Sequence, residues 1–161
     1  MNGIVTTTGT FADDAERMAF LAAIPAAVPA VKTLADVQRS QGALLAAACQ
    51  AAIYAGFISS ALGAAHTYPA KDRDQNNLAA SVLASILPGI PAGWTTPLWC
   101  VDAAGVWAYV PHTAAQVQQV GIDGKAAIVA CLLRNQALAT QVMAIQDTSA
   151  AGIAAVQAIV W

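Results

Sequence analysis

Charged side chains are scarce in this sequence. Asp, Glu, Lys and Arg make up only 10% of its 161 residues, whereas an average soluble domain has about 25%. The net charge is −2 and the seven Lys and Arg residues are scattered, which excludes the basic patch that nucleic-acid-binding and membrane-surface proteins use. So few ionic groups cannot cover the surface of an isolated domain, and we predict that another protein chain covers part of it.

Metal ligands and disulfide-forming residues are also few. The three cysteines, Cys49, Cys100 and Cys131, are odd in number and far apart, which argues against a disulfide framework and predicts free, buried thiols. Neither His66 nor His112 has another histidine, a cysteine or a carboxylate at the spacing of a metal site. The sequence therefore predicts no metal and no bound cofactor.

The motifs of common catalytic sites are missing too. There is no G-x-S-x-G elbow, and although Cys100 and His112 could meet across a hairpin, nothing in the sequence orients them. The segment Gly121–Lys125 lacks the Ser or Thr that follows the lysine of a phosphate-binding loop. Asp72 and Asp74 could form a glycosidase pair, but at a helix start they are better explained as capping residues. We therefore predict that the protein is not an enzyme.

Long apolar runs are interrupted, although the mean hydropathy is +0.57. The uncharged stretches 42–70 and 78–101 are broken by polar residues or by prolines and glycines, and neither supplies the roughly 20 apolar residues of a membrane helix. The first ten residues have no basic segment followed by an apolar core. We predict neither a secretory signal nor membrane insertion.

Alanine, by contrast, is abundant, with 40 copies in a chain that is 58% hydrophobic. Because alanine favours helices, this composition predicts a helix-rich protein. Residues 1–32 are predicted to form an attachment segment, in which an extended arm leads into a helix over about 11–24 that two prolines end. The apolar face of this helix includes Phe11 and Met18, which are candidate partner-binding residues.

The main body, residues 33–161, is predicted to alternate helices and hairpins. Thr33 and Thr113 fit helix N-caps, and Thr113 opens a Thr-Ala-Ala-Gln capping box. The predicted elements are a helix over 33–55, a hairpin over 57–68, a helix over 75–87, strands over 98–101 and 106–110 around the turn Asp102–Gly105, a helix over 114–146 with a weak point at Asp123–Gly124, and a helix over 150–159. This order predicts an α+β fold: a helix-rich domain whose two short β-hairpins form a small antiparallel sheet packed against helices, with a long C-terminal helix.

Four aromatic residues lie in or beside the second hairpin: Trp94, Trp99, Trp107 and Tyr109. Their rings could pack beneath a helix as part of the core, which is the more common outcome. They could instead stay exposed as a platform for a sugar or a protein partner, since exposed Trp and Tyr are frequent anchors. Both interpretations stay open, and all four are candidate partner-binding residues.

A series of short motifs follows one another along residues 41–161. They are the hairpin before YPAKDRDQNNL, the hairpin LWCVDAAGVWAYV with Trp99, Asp102 and Gly105, the helix start HTAAQ, and the closing TSAAGIAAVQAIVW. In this order they resemble a domain of unknown function found beside, or fused to, the tail-fibre genes of tailed bacteriophages and prophages. The resemblance implies a component of the phage tail in the virion, or a helper in making one, produced in the cytoplasm of the bacterial host. That family has no established catalytic residues.

Three hypotheses for the function result. The first is a virion structural protein of the tail fibre or baseplate, which binds other tail proteins and forms homo-oligomers, a trimer through the long helix being one form. The second is a tail-fibre assembly chaperone that is absent from the mature virion. The third, suggested only by the aromatic hairpin and the K-D-R-D segment, is a glycan-active enzyme.

Overall fold

The computed structural model describes residue 10 and residues 13–23 and 32–161. The chain divides into two compact units, 1–32 and 33–161. The predicted N-terminal arm up to residue 9, Phe11 and the two prolines after the first helix lie outside the described residues.

Helix α1 spans Asp14–Ala23 in the first unit. The Asp13 side chain caps its start, because Oδ1 accepts a hydrogen bond from the Glu16 backbone N–H at 2.8 Å and satisfies one of the free donors of the first turn. The candidate residue Met18 is 60% exposed on this helix.

The second unit contains four helices and four strands. In chain order they are α2 (Leu34–Tyr54), β1 (Phe57–Ser59), β2 (His66–Tyr68), α3 (Asp72–Ile86), β3 (Thr95–Val101), β4 (Trp107–Thr113), α4 (Ala114–Ala144) and α5 (Ala150–Gln157). The types and order of these elements confirm the predicted α+β fold, with its two hairpins and long helix near the C-terminus.

The two hairpins pair into one antiparallel sheet with the strand order β1-β2-β3-β4. β3 and β4 are paired along their whole length, from Thr95↔Thr113 to Val101↔Trp107. β2 and β3 share only the pair Thr67↔Val101. Since α4 contacts β1, β3 and β4, the helix beneath the sheet holds the two hairpins together.

The second hairpin is longer than predicted. It begins at Thr95 instead of residue 98, and its second strand continues to Thr113 instead of ending at residue 110. Both strands contain a proline, and the two residues, Pro97 and Pro111, lie opposite each other in the ladder. β4 is an edge strand and β2 has separated from β3 at this point, so each proline nitrogen can face an unpaired edge, where it costs no ladder hydrogen bond.

The turn of this hairpin is confirmed at Asp102–Gly105. The Gly105 N–H donates to the Asp102 carbonyl at 3.1 Å, and the Asp102 Oδ1 accepts from the backbone N–H groups of Ala104 and Val106, both at 2.9 Å. Gly105 has φ +81°, a conformation that favours glycine. The turn therefore fixes how the aromatic strands on either side of it pair.

Helix α3 begins at Asp72, three residues before its predicted start at 75. The Asp74 carboxylate accepts a hydrogen bond from the Lys71 backbone N–H at 3.1 Å, as in a capping box. The prediction placed both acidic residues before the helix, whereas they lie in its first turn, where their charge offsets the helix dipole.

Helix α4 continues through Asp123–Gly124, where the sequence indicated a weak point. Gly124 instead allows a close contact between α4 and β1: a Cβ added at this position would lie 2.8 Å from the Cζ of Phe57. The absence of a side chain therefore lets the sheet approach the helix.

Two hydrophobic clusters lie along α4. The first fills the space between its N-terminal half and the inner face of the sheet, with Phe57, Tyr68, Ala70, Leu98, Cys100, Val117 and Val120. The second joins its C-terminal half to α2 and α5, with Val37, Leu45, Val142 and Val156. Helix α4 thus contributes to both hydrophobic clusters and connects the sheet to the helices α2 and α5.

Candidate functional site

Cys100 and His112, the sequence pair that could have formed a nucleophile and a base, both lie in the core beneath the sheet. Cys100 is 1% exposed, and burial raises the pKa of its thiol. His112 is fully buried, and both of its ring nitrogens have hydrogen-bond partners, the Tyr68 hydroxyl and the Val110 carbonyl. A protonated thiol and an imidazole without a free nitrogen cannot attack a substrate.

The acidic residues of the K-D-R-D segment have structural contacts. The Asp72 Oδ1 accepts a hydrogen bond from the Tyr54 hydroxyl at 2.7 Å, and one oxygen of Asp74 caps α3. Within the described ranges, no group of three His, Cys, Asp or Glu side chains could hold a metal ion. The remaining candidates are surfaces of the molecule.

The aromatic hairpin presents three of its rings to solvent. Trp99, Trp107 and Tyr109 are 41%, 45% and 69% exposed, and they share the outer face of the sheet because side chains alternate along each strand. The Trp99 ring contacts both others, with centroids 5.8 Å from Trp107 and 4.8 Å from Tyr109. The interpretation that these three rings are buried beneath a helix is wrong.

Trp94 differs from the other candidates. It precedes β3 and packs, half-buried, against the first hydrophobic cluster. The interpretation as a core aromatic residue is therefore correct for this residue. The structure separates Trp94 from the exposed aromatic set, and Met18 belongs to the other unit.

A cleft of about 560 Å³ opens beside the exposed aromatic pair Trp99 and Tyr109. Pro97 extends this wall, and the opposite wall is α3, with Asp74, Asn77 and Ser81 among its lining residues. The cleft therefore combines aromatic rings on one side with a carboxylate, an amide and a hydroxyl on the other. The sequence does not predict this cleft, because the helix and the hairpin that form it meet only in the folded chain.

Helix α4 has an apolar stripe on its outer side. Its members alternate at spacings of four and three residues, and all are exposed: Ile122, Ala126, Val129, Leu133, Gln136, Thr140 and Met143. We call this set the α4 stripe. Its first members, Ile122 and Ala126, each follow an inward-facing residue, Val120 or Gly124, by two positions. Two positions correspond to about 200° around the helix, so the stripe faces away from the sheet. The alternating spacing of four and three residues is present in the sequence, where it runs beside the inward-facing positions of the same helix.

The α4 stripe borders an open apolar groove between α3 and α4, with a volume of about 1010 Å³. Val82, Leu83 and Ile86 of α3 line it together with Ile122 and Val129 of the stripe. A broad, mainly apolar surface therefore continues from α4 across to α3, with Lys125 as a charged residue in the lining of the groove.

By length and composition alone, α4 is the one helix in the described part of the chain that could cross a membrane. Only 6% of its most apolar window is buried within the protein. This result reflects the same uncovered apolar surface that the stripe defines.

Comparison with known proteins places this chain in a sequence family. Residues 36–159 match the family described as Domain of unknown function (DUF4376). No curated protein matches the chain, and no solved structure matches it. The match begins in the first turns of α2 and ends after α5, so it spans all the strands, the aromatic hairpin and the α4 stripe. The chain belongs to the DUF4376 family.

Proposed function

We propose that this protein is a non-enzymatic structural subunit of a bacteriophage tail, in the tail fibre or baseplate, and that it acts by assembling with copies of itself and with other tail proteins. The resemblance of the motifs along residues 41–161 to tail-fibre-associated domains supports the place in a phage. The α4 stripe supports the assembly role and is the observation that carries it.

The spacing of the α4 stripe is the reason to expect a helical partner. Alternating steps of four and three residues average 3.5, the repeat that keeps one seam of a helix against another helix in a coiled coil. The stripe runs for about 30 Å at 1.5 Å per residue. Burying an exposed leucine, isoleucine or methionine side chain contributes about 1.5–3 kcal/mol, so a partner along this seam stabilises the assembly considerably.

A second copy of this chain is the partner that the stripe fits. None of its seven members carries a charge, so identical stripes can meet without electrostatic repulsion. Gln136 and Thr140 are the polar members, and polar side chains at seam positions pair with each other and fix the register and the number of helices. Such an oligomer would then be one component of the larger tail assembly in the virion.

The stripe is tested by measuring the molar mass of the purified protein by light scattering. We expect an oligomer for the wild type and a monomer for Leu133→Glu, which places a charge in the seam. Leu44→Glu on α2 is the matched control, since Leu44 and Leu133 are 63% and 60% exposed and only Leu133 belongs to the stripe. A wild-type monomer at high concentration, or equal dissociation of both variants, contradicts self-assembly through α4.

The place in the virion is tested by mass spectrometry of purified particles of the phage that encodes the chain. We expect its peptides in stoichiometric amounts with those of other tail proteins. Their absence, together with improved fibre solubility when the two proteins are co-expressed, would instead support the assembly chaperone. That outcome overturns the structural role.

A further inference from the structure

The aromatic wall of the cleft consists of Trp99 and Tyr109. They are cross-strand partners in the β3–β4 ladder, and their ring planes are inclined at 52° with centroids 4.8 Å apart. Cross-strand pairing and the fixed turn at Asp102–Gly105 hold both rings in place without a ligand. A preorganised aromatic surface binds the apolar face of a ligand at a low entropic cost.

The opposite wall is polar and comes from one face of α3. Asp74, Asn77 and Ser81 follow one another at steps of three and four residues, which places their side chains in a row. Asp74 caps the helix through Oδ2 and retains a second oxygen. Within the described part of the chain, neither the Asn77 amide nor the Ser81 hydroxyl has a hydrogen-bond partner in the protein. The row therefore offers acceptors and donors that are free to bind a ligand.

This combination favours a neutral ligand that has both an apolar face and hydroxyl groups. A wholly apolar molecule would cover Asp74 and Asn77 without replacing their bonds to water, which is costly, and an anion would meet the Asp74 carboxylate. A neutral pyranose sugar has an apolar face of C–H groups for the rings and an edge of hydroxyl groups for Asp74 and Asn77. The volume of about 560 Å³ lies in the range of about 300–1,000 Å³ that is usual for small-molecule sites.

We propose that the cleft between the aromatic hairpin and α3 is a binding site for a neutral pyranose, with Trp99 and Tyr109 stacking on the sugar ring and Asp74, Asn77 and Ser81 binding its hydroxyl groups. This site does not rest on the proposed tail function or on the α4 stripe. It adds ligand recognition on a surface that is separate from the assembly seam.

The test is ligand-observed saturation-transfer NMR with the full-length protein and a panel of methyl glycosides. The panel contains the α- and β-anomers of glucose, galactose, mannose and N-acetylglucosamine, with methyl glucuronide as the anionic comparison. We expect saturable binding of at least one neutral member and no binding of the glucuronide. If no neutral member binds, the proposal is wrong.

Variants locate the site. Asn77 is an exposed helix residue, so Asn77→Ala should leave the fold intact. We expect this variant to bind the sugar about tenfold more weakly, because it loses one hydrogen bond to the ligand. Trp99→Ala should abolish saturation transfer. Trp107→Phe is the matched control: it keeps a ring against Trp99 but lies outside the cleft lining, so its affinity should equal that of the wild type. Equal loss in Trp107→Phe, or wild-type affinity in Asn77→Ala, overturns the assignment of this cleft.

Discussion

The Tyr68 hydroxyl donates a hydrogen bond to the His112 Nε2 across 2.7 Å, with both side chains buried beneath the sheet. Burial raises the pKa of Tyr68, which keeps the hydroxyl protonated as a donor. The second His112 nitrogen, Nδ1, lies 2.7 Å from the Val110 carbonyl and donates to it. This bond links β2 to β4, which are not neighbours in the sheet, and it supplements the single pair that joins β2 to β3.

Replacing Tyr68 by phenylalanine should destabilise the fold. The change removes the hydroxyl but keeps the ring that stacks on Phe57, so its main effect is an unpaired nitrogen in the core. We expect a loss of about 1–3 kcal/mol in the free energy of unfolding, measured with urea. Tyr54→Phe is the control, since that hydroxyl bonds to Asp72 at the surface, and it should change the free energy by less than about 0.5 kcal/mol. Similar losses in both variants would mean that the buried hydrogen bond stabilises the fold no more than the surface one.

Stability should decrease as the pH falls below the ordinary pKa of histidine, about 6.5. Burial lowers the pKa of His112 below its ordinary value of 6.5, so the unfolded chain takes up a proton that the folded chain excludes. The stabilisation is complete above the unfolded-state pKa and is lost as the pH falls from there to the lowered pKa of the folded state, by at most about 1.4 kcal/mol per pH unit for one group. The measurement is urea unfolding at several pH values.

Variants of the two histidines test the origin of this slope. His112→Gln should flatten the dependence, while His66→Gln should retain it. The carboxyl groups of Asp36 and Asp147, whose pKa values are lowered by hydrogen bonds from Thr33 and Ser149, lose their stabilisation only below their ordinary value of 3.8. An unchanged slope in His112→Gln would assign the pH dependence to other groups.

Gly124→Ala and Gly42→Ala should have opposite effects, although both glycines lie within helices. A methyl group at position 124 would clash with the Phe57 ring, which is stacked on Tyr68 and has little freedom to move. We expect overpacking to cost about 1–3 kcal/mol, against a gain of about 1 kcal/mol in helix propensity. At 42 nothing lies within 4 Å of the added methyl, so only the gain remains. Thermal unfolding compares the two, and stabilisation by both variants would show that the sheet can move away from α4.

Local signals were sufficient to predict most of the fold. The N-caps at Thr33 and Thr113 and the turn at Asp102–Gly105 each depend on four or five consecutive residues, and the structure confirms all three. The predicted ends of the second hairpin were wrong: both strands continue through a proline, Pro97 in one and Pro111 in the other, and a strand tolerates a proline only where its edge is left unpaired. That property belongs to the assembled sheet and not to the segment.

The surfaces were harder to predict than the elements. Alternation along β3 and β4 places Trp99 and Tyr109 on one face, but it cannot tell which face a helix covers. Only the position of α4 beneath Cys100 and His112 decides that the aromatic face is the open one. The cleft required in addition that α3 face the hairpin, which no short-range pattern encodes.

Strand β4 passes into α4 without a loop, because Thr113 is both the last residue of the strand and the N-cap of the helix. One inserted residue at this joint would turn the helix by about 100° relative to the hairpin, so the direct junction sets a fixed angle between the aromatic rings and the outer side of α4. In a bundle of copies joined along that side, every hairpin would point outward in the same orientation. If each copy also binds a sugar in its cleft, a surface that carries repeated sugars would be bound at several points at once, and weak single contacts would combine into firm attachment through avidity.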